Sequence, residues 1–136
     1  MYNRQTSTSK RELELVKLDK ISKDKYFSEL RGLGITTYRD YLQSQYWKDL
    51  KLKMWSNKMP KECFCCGSKS NLDIHHRKYR TKSINRLNIN DLVYLCRDCH
   101  TIVHNNHKED KTITINQATK RLRRKNRKNI LIENFK

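Results

Sequence analysis

The spacing of apolar residues predicts a long first helix. Between residues 10 and 31 they recur at roughly helical intervals. Ser9 and Glu12, just before and at the start of this run, have the spacing of a capping box, and two closely spaced glycines end the run. We therefore expect one helix over this stretch, or two helices broken near Ser22.

Two shorter helices are expected next. Thr37 can cap a helix over residues 38–43, and Ser44 can cap a second one over residues 45–57. The second helix has an apolar stripe that we expect to pack in the core. The stripe consists of Trp47, Leu50, Met54 and Trp55.

Beyond residue 70 the pattern predicts a hairpin and another helix. We expect strands over residues 72–76 and 92–95, paired antiparallel across a long loop at residues 77–91. A helix over residues 98–106 should follow. The alternation at residues 112–115 favours a further short strand.

The cysteines form two pairs with the spacing of a metal site. Cys63 and Cys66 make one C-x2-C turn within an expected knuckle, and Cys96 and Cys99 make another. Such turns point both sulfurs at one ion, so the four thiolates can close a tetrahedral shell around a structural zinc. Zinc would join two segments 30 residues apart in a chain with a small apolar core. Cys65 is the spare thiol.

Two other uses of these cysteines fit the sequence less well. Disulfides would require a secreted protein, but the cysteine count is odd and no signal-peptide core precedes the first helix. The run from Cys96 to His100 also has the C-x-x-C-H form of a haem attachment site. Haem attachment would leave the first cysteine pair unexplained, so zinc is the favoured interpretation.

Four of the five histidines lie in the same window as the cysteines. His100 and His104 are four residues apart, which places both on one face of a helix. With His75 they can supply three imidazoles to a second ion and leave coordination positions open, as in catalytic sites. His76 should point to the opposite face of the strand, where it is free to act as a general base. His107 lies past the helix and is treated as incidental.

The charge balance points to a polyanionic partner. The chain has 136 residues and a net charge of +17, from 31 Lys and Arg against 14 Asp and Glu, which suits nucleic acid. No apolar run approaches the about 20 residues that cross a bilayer, and we expect a cytoplasmic protein. The candidate nucleic-acid contacts lie in the long loop (Lys78, Tyr79, Arg80, Lys82, Arg86) and in the C-terminal segment (Lys120, Arg121, Arg123, Arg124, Lys125, Arg127, Lys128). That C-terminal segment has few apolar residues, and we expect either a helix or arm on DNA or a disordered tail.

Taken together, the metal-binding runs form a known pattern. They are Cys63, Cys66, Leu72-Asp73-Ile74-His75-His76, Asp91-Leu92-Val93-Tyr94-Leu95, Cys96-Arg97-Asp98-Cys99-His100 and His104, with an upstream Tyr-x-x-Tyr-Leu-x-Ser stretch from Tyr38 to Trp47. The pattern resembles the zinc-containing HNH endonucleases, in particular small bacterial and phage members. The resemblance implies an α+β fold. This fold is a ββα-metal (His-Me finger) module with a structural zinc held by four cysteines, N-terminal helices (1–36), the nuclease domain (37–107) and a basic C-terminal extension (108–136).

The resemblance also implies an activity, metal-dependent hydrolysis of DNA phosphodiester bonds. His76 would be the general base, and Arg77 would help to neutralise the phosphate. The family works with Mg²⁺ or Mn²⁺, while imidazole ligands also suit Ni²⁺, Co²⁺ or Zn²⁺. The middle asparagine of the family, which orients the base, is replaced here by Asp91, with Asn90 beside it.

The implied partner is double-stranded DNA. One such site cuts one strand, so a double-strand break would need a homodimer or two binding events. Two alternatives remain open from the sequence. One is a zinc-stabilised nucleic-acid-binding module without catalysis, and the other is the same chemistry on RNA.

Overall fold

The computed structural model describes residues 4–81 and 89–134, and in this part of the chain five α-helices surround a two-stranded antiparallel sheet. The fold is therefore mixed helix and sheet, as predicted. The elements in order are α1 (Arg4–Gly32), α2 (Tyr38–Gln43), α3 (Gln45–Ser56), β1 (Leu72–His76), a 3-10 turn (Ile89–Asp91), β2 (Leu92–Cys96), α4 (Arg97–Glu109) and α5 (Ile115–Asn134).

The first helix is longer than predicted and is not broken at Ser22, since α1 runs without interruption to Gly32. On its central and C-terminal part, only Tyr26 and Leu30 are buried. Tyr41, Tyr46 and other aromatic rings pack around them. None of the described helices combines the length and apolar character that crossing a membrane requires.

The starts of α2 and α3 confirm the predicted caps. The Thr37 hydroxyl accepts a hydrogen bond from the Asp40 amide at 3.0 Å, and the Asp40 carboxylate accepts one from the Thr37 amide at 3.2 Å. This reciprocal pair satisfies two amides that the helix leaves unbonded. Ser44 caps α3 by accepting from the Trp47 amide at 3.1 Å.

The apolar stripe of α3 is core in its middle but not at its end. Leu50 and Met54 are buried and pack with Leu92 and Tyr94 of β2. Trp55, by contrast, is 63% exposed, so the prediction that it belongs to the core is wrong. Its side chain is on the solvent side of the helix, beside the Lys61 ammonium 4.8 Å from its ring.

The hairpin and the helix after it place the cysteines and histidines. β1 pairs with β2 so that Leu72 lies opposite Cys96 and His76 lies opposite Leu92. α4 starts directly after β2, and the Cys96 sulfur caps it by accepting from the Cys99 amide at 3.5 Å. The predicted strands and helix are confirmed, and the end of β2 is joined to the start of α4 with no loop between them.

The expected strand at residues 112–115 is wrong, because α5 starts there. The Thr114 hydroxyl accepts from the Gln117 amide at 3.1 Å, and the Gln117 side chain accepts from the Thr114 amide at 2.8 Å. This capping box outweighs the β-propensity of the segment. Ile113 and Ile115 are both buried beside the cap.

The cationic C-terminal segment is a helix, and it is held to the core more firmly than predicted. Ala118 and Leu122 of α5 are buried in the same cluster as the cysteines. The Asn126 amide donates to the Cys65 carbonyl at 3.0 Å, and the Arg123 guanidinium lies 4.2 Å from the centre of the Phe64 ring. The other lysines and arginines of α5 lie on its exposed face.

The two leucines of α3 provide a matched test of this packing. Leu50 is 1% exposed and Leu52 is 65% exposed. Truncating the buried leucine leaves a cavity, so we expect Leu50→Ala to lower the free energy of unfolding by about 2–5 kcal/mol. Leu52→Ala should change it by less than about 0.5 kcal/mol. Urea denaturation of the zinc-loaded variants measures both, and equal losses would contradict this placement of α3.

Candidate metal centres

The first cysteine pair lies in a tight knuckle before β1. The Cys63 amide donates to the Ser68 carbonyl at 2.8 Å, and the Gly67 amide donates back to the Cys63 carbonyl at 2.8 Å. Gly67 has a φ of +80°, which glycine adopts without steric cost. The turn also lets the Cys66 amide donate to the Cys63 sulfur at 3.5 Å.

The knuckle brings the first pair of cysteines to the second pair. The sulfurs of Cys63, Cys66, Cys96 and Cys99 all lie within 4.8 Å of one another. The Cys66 and Cys96 sulfurs are 3.7 Å apart, well beyond the about 2.05 Å of a disulfide, and all five cysteines are free thiols. The disulfide interpretation therefore fails, and the cluster is a candidate zinc site with four sulfur ligands.

The thiols of this cluster differ in how readily they ionise. Burial pushes the pKa of Cys63 upward, but backbone N–H groups, with that of Cys96 first, outweigh it and lower the pKa to about 7. Burial raises the pKa of Cys66 and that of Cys99. A metal ion would therefore have to displace protons from Cys66 and Cys99 in order to bind.

Cys65 takes no part in the cluster. Its sulfur donates to the Thr119 carbonyl on α5 at 3.4 Å. Burial, reinforced by the neighbouring thiols, raises its pKa to about 12. Cys65 is therefore an inert core thiol, as its spacing predicted.

The second cluster consists of the three predicted histidines. His75 projects from β1, and His100 and His104 lie one turn apart on α4. Ring nitrogens of all three lie within 4.8 Å of one another, and the Nε2 atoms of His100 and His104 are 3.0 Å apart. The geometry places three imidazoles where they could share one cation.

Two polar partners set which ring nitrogen carries the proton in His75 and in His100. The Thr119 hydroxyl donates to the Ile115 carbonyl at 2.8 Å, so its contact with His75 Nε2 at 3.0 Å requires that this nitrogen donate. The Asp73 carboxylate accepts from His100 Nδ1 at 3.2 Å. The lone pairs of His75 Nδ1 and His100 Nε2 are thereby left for a metal. Metal-binding histidines commonly donate their other ring N–H to such a polar partner.

Two of the three histidines favour the neutral form. Burial, with repulsion from His100 and His104, lowers the pKa of His75 to about 3. Burial also lowers the pKa of His104. Neutral imidazole is the form that binds metal, so these two rings can bind an ion without first losing a proton.

His76 lies on the other face of β1 from His75, against aromatic rings. Its ring stacks on that of Tyr79 at 4.9 Å between centroids and 7° between planes, with Tyr26 6.0 Å away. Its Nε2 is buried and has no hydrogen-bond partner among the described residues. Burial lowers the pKa of His76 to about 4, against an opposing effect from the charge of Asp91.

Asp91 and Arg77, predicted to orient the base and to neutralise the phosphate, are held in the segments around the loop that follows His76. Asp91 is buried, and its carboxylate accepts from both Nε and Nη2 of Arg80, the former at 2.9 Å. The Asp91 carbonyl accepts from the Arg77 amide at 2.8 Å, which ties the end of β1 to the 3-10 turn. The Arg77 side chain donates to the Asn90 carbonyl at 2.9 Å and lies over Phe64. Arg77 is thus engaged by its own loop.

The predicted nucleic-acid contacts are only partly on the surface. Tyr79 is packed between α1 and His76, with its carbonyl accepting from the Ser22 hydroxyl. Lys82 and Arg86 lie outside the described residues. The following predicted contacts are exposed: Lys78, Arg80, Lys120, Arg121, Arg124, Lys125, Arg127 and Lys128.

Two polar residues of the histidine cluster were not predicted. Asp73 stands two positions before His75, so strand periodicity places both on one face and could have indicated it. Thr119 comes from a helix 44 residues beyond His75. No local spacing links it to the cluster.

Comparison with known proteins gives no match: no family model fits the chain, and no curated protein and no solved structure is significantly similar to it. The functional assignment therefore depends on the geometry described above.

Removing a cysteine ligand should unfold part of the protein. We expect Cys96→Ser to lose the bound zinc and to lower the melting temperature by more than about 10 °C, because structural zinc supplies folding energy of about 10 kcal/mol or more in small domains. Cys65→Ser is the control, since its hydroxyl can still donate to Thr119, and it should keep one zinc per chain. Elemental analysis and thermal denaturation measure both. Zinc loss in the control variant would assign Cys65 as a ligand.

Removing the Thr119 hydroxyl should lower the affinity of the histidine cluster for a divalent ion. Thr119→Val deletes the acceptor for His75 Nε2, and loss of such an outer partner typically costs about 10–100-fold in affinity. Thr119→Ser should restore binding, and Thr101→Val on the exposed face of α4 should not change it. Calorimetric titration of zinc-loaded protein with Mn²⁺ or Ni²⁺ measures the effect. Equal affinity in all variants would contradict the role of Thr119.

Proposed function

We propose that this protein is a metal-dependent endonuclease of the HNH type that hydrolyses DNA. One observation carries the proposal: three imidazoles converge beside a fourth, His76, whose Nε2 is buried without a partner among the described residues, while a separate cysteine cluster is available for zinc. A structural site and an open site so close in one small domain suit catalysis better than binding alone.

The elements that hold these residues support the same assignment. β1, β2 and α4 form two antiparallel strands followed at once by a helix, the order of a ββα-metal module. Ligands come from β1 and α4, and the candidate base is the residue next to the ligand on β1. The histidines in the pattern that resembles the HNH family thus all lie on this hairpin and helix.

The histidine cluster fits a divalent ion of the kind proposed. His75, His100 and His104 would hold it, with the tautomers of His75 and His100 set by Thr119 and Asp73. When bound, Mg²⁺ or Mn²⁺ supplies positive charge that stabilises the phosphorane-like transition state and the leaving oxygen. Ni²⁺, Co²⁺ and Zn²⁺ suit imidazole ligands as well.

His76 is the proposed general base. Burial favours the neutral form of its imidazole, which has one nitrogen lone pair that can take the proton from an attacking water. The Tyr79 ring stacked on it limits its rotation. The charge of Asp91 opposes the lowering of the His76 pKa, its carboxylate accepts from Arg80, and its carbonyl accepts from the Arg77 amide in the loop that follows β1.

The charge distribution supports a nucleic-acid substrate. The net charge is +17, and the exposed face of α5 carries a row of lysines and arginines. Such a surface suits binding to phosphates without reading sequence, and we expect that binding to weaken strongly as the salt concentration rises. We propose DNA as the polymer.

A zinc-stabilised nucleic-acid-binding module without catalysis is the competing function. It explains the cysteine cluster and the charge. It gives no role to three converging imidazoles, two of which have polar partners that set their tautomers, nor to the buried Nε2 of His76. An RNA substrate is a further alternative that leaves the chemistry unchanged.

Cleavage of supercoiled plasmid tests the proposal. With Mg²⁺ or Mn²⁺ the protein should first produce nicked circles, because one site cuts one strand. His76→Ala should slow this by about 10²–10⁴-fold through loss of the base. His100→Ala should abolish metal-dependent cleavage, and His107→Ala, which lies outside the cluster, should retain it.

Nearly full activity in His76→Ala would remove the proposed base. Absence of cleavage by the wild-type protein with every metal tested would favour the binding module. Faster cleavage of RNA than of DNA of the same sequence would reassign the substrate.

A further inference from the structure

A large groove leads across the surface beside the histidine cluster. It lies between the C-terminal part of α1, the helices α2 and α3, and strand β1, and its volume is about 1110 Å³. Pockets for small ligands are usually about 300–1,000 Å³, so this one suits a segment of a polymer. Its aromatic lining includes Tyr26, Tyr38, Tyr41, Trp47, Trp55 and Tyr79. His75, His76, His100 and His104 line the same groove.

Two of the aromatic rings in this groove are largely exposed to solvent. Tyr38 is 76% exposed and Trp55 is 63% exposed, and Phe27 and Leu52 add further exposed apolar surface. Contiguous exposed apolar surface of this kind commonly marks a binding site. Flat aromatic faces in particular can stack on other flat rings.

The charges around the rings favour an anionic ligand. The cations that line the groove are Arg31, Lys48 and Lys51, and Asp73 is the single carboxylate among its described lining residues. That carboxylate is already engaged by His100 at 3.2 Å and lies 3.9 Å from Arg97. The Lys51 ammonium is 5.7 Å from the Trp47 ring, so positive charge and aromatic faces are interleaved.

We propose that this groove binds an unpaired strand of DNA, whose bases stack on Tyr38 and Trp55 while its phosphates follow the lysines to the histidine cluster. Aromatic platforms interleaved with cations are how proteins hold single strands. A duplex keeps its base faces stacked internally and offers only phosphates and groove edges, so it leaves these rings without a partner. This inference deepens the proposed function, on which it rests, by naming the substrate as DNA with a single-stranded segment.

Binding measured apart from cleavage tests the groove. The measurements use a His104→Ala variant, which lacks one ligand at the exposed edge of the cluster. Fluorescence anisotropy gives its affinity for a labelled DNA single strand, for the same sequence as blunt duplex, and for the same sequence as single-stranded RNA. We expect the DNA strand to bind at least about 10-fold more tightly than the duplex, because only the strand offers free base faces. It should also quench tryptophan emission.

Substitution of single rings assigns the effect to the groove. Trp55→Ala and Tyr38→Ala should each weaken single-strand binding by about 5- to 150-fold, the range for loss of one stacked base. Both should leave duplex binding unchanged. Leu33→Ala is the control, since Leu33 is 62% exposed and lies outside this groove.

The outcomes separate the two proposals. Equal affinity for strand and duplex, or unchanged binding in both ring variants, overturns the groove assignment. Tighter binding of the RNA strand overturns DNA as its ligand. If the wild-type protein prefers single strands but cleaves no nucleic acid, the nuclease proposal is overturned and the inferred ligand of the groove stands.

Discussion

The cysteine cluster is the constraint on which the rest of this fold depends. The chain is strongly cationic, and its apolar core is divided into small groups around α1, α3 and the hairpin. Four sulfurs join the knuckle to the end of β2 and the start of α4. Without a bound ion, the buried thiols would carry protons and no metal–sulfur bonds would join these segments. A core this small has little apolar burial to replace the stability of those bonds.

Adjacent histidines on one strand divide the chemistry between two faces. The pleat of β1 sends His75 toward α4 and α5, where polar partners orient it, and sends His76 toward the tyrosines of α1 and the loop after β1. The first face suits a ligand and the second suits a base. A shift of one residue in the register of β1 and β2 would exchange these environments, so the pairing of the hairpin specifies the site as well as the fold.

Features set by short-range spacing were predictable from the sequence. The caps at Thr37 and Ser44, the two strands, and the convergence of His100 and His104 on one helix face all follow from short intervals along the chain. The errors arose where two local preferences compete, as at Thr114, where β-branched residues and a capping box overlap. Trp55 is another: helical periodicity places it near the core stripe, but packing leaves it outside.

Contacts between distant segments could not be predicted in this way. Thr119 meets His75 across 44 positions, and Ser22 meets Tyr79 across 57. No single-sequence periodicity encodes such pairs, because they depend on how helices α1 and α5 settle on the hairpin. The groove could not be predicted for the same reason, since its lining residues come from six separate helices and strands.

Thr119 connects the histidine cluster to the cysteine knuckle, because its hydroxyl contacts His75 and its carbonyl accepts from the sulfur of Cys65, the residue next to Cys66. An ion bound at either cluster would act on the same turn of α5, so the two binding events would be linked through the position of this helix. By thermodynamic reciprocity, the factor by which one ion changed the affinity for the other would be the same in both directions.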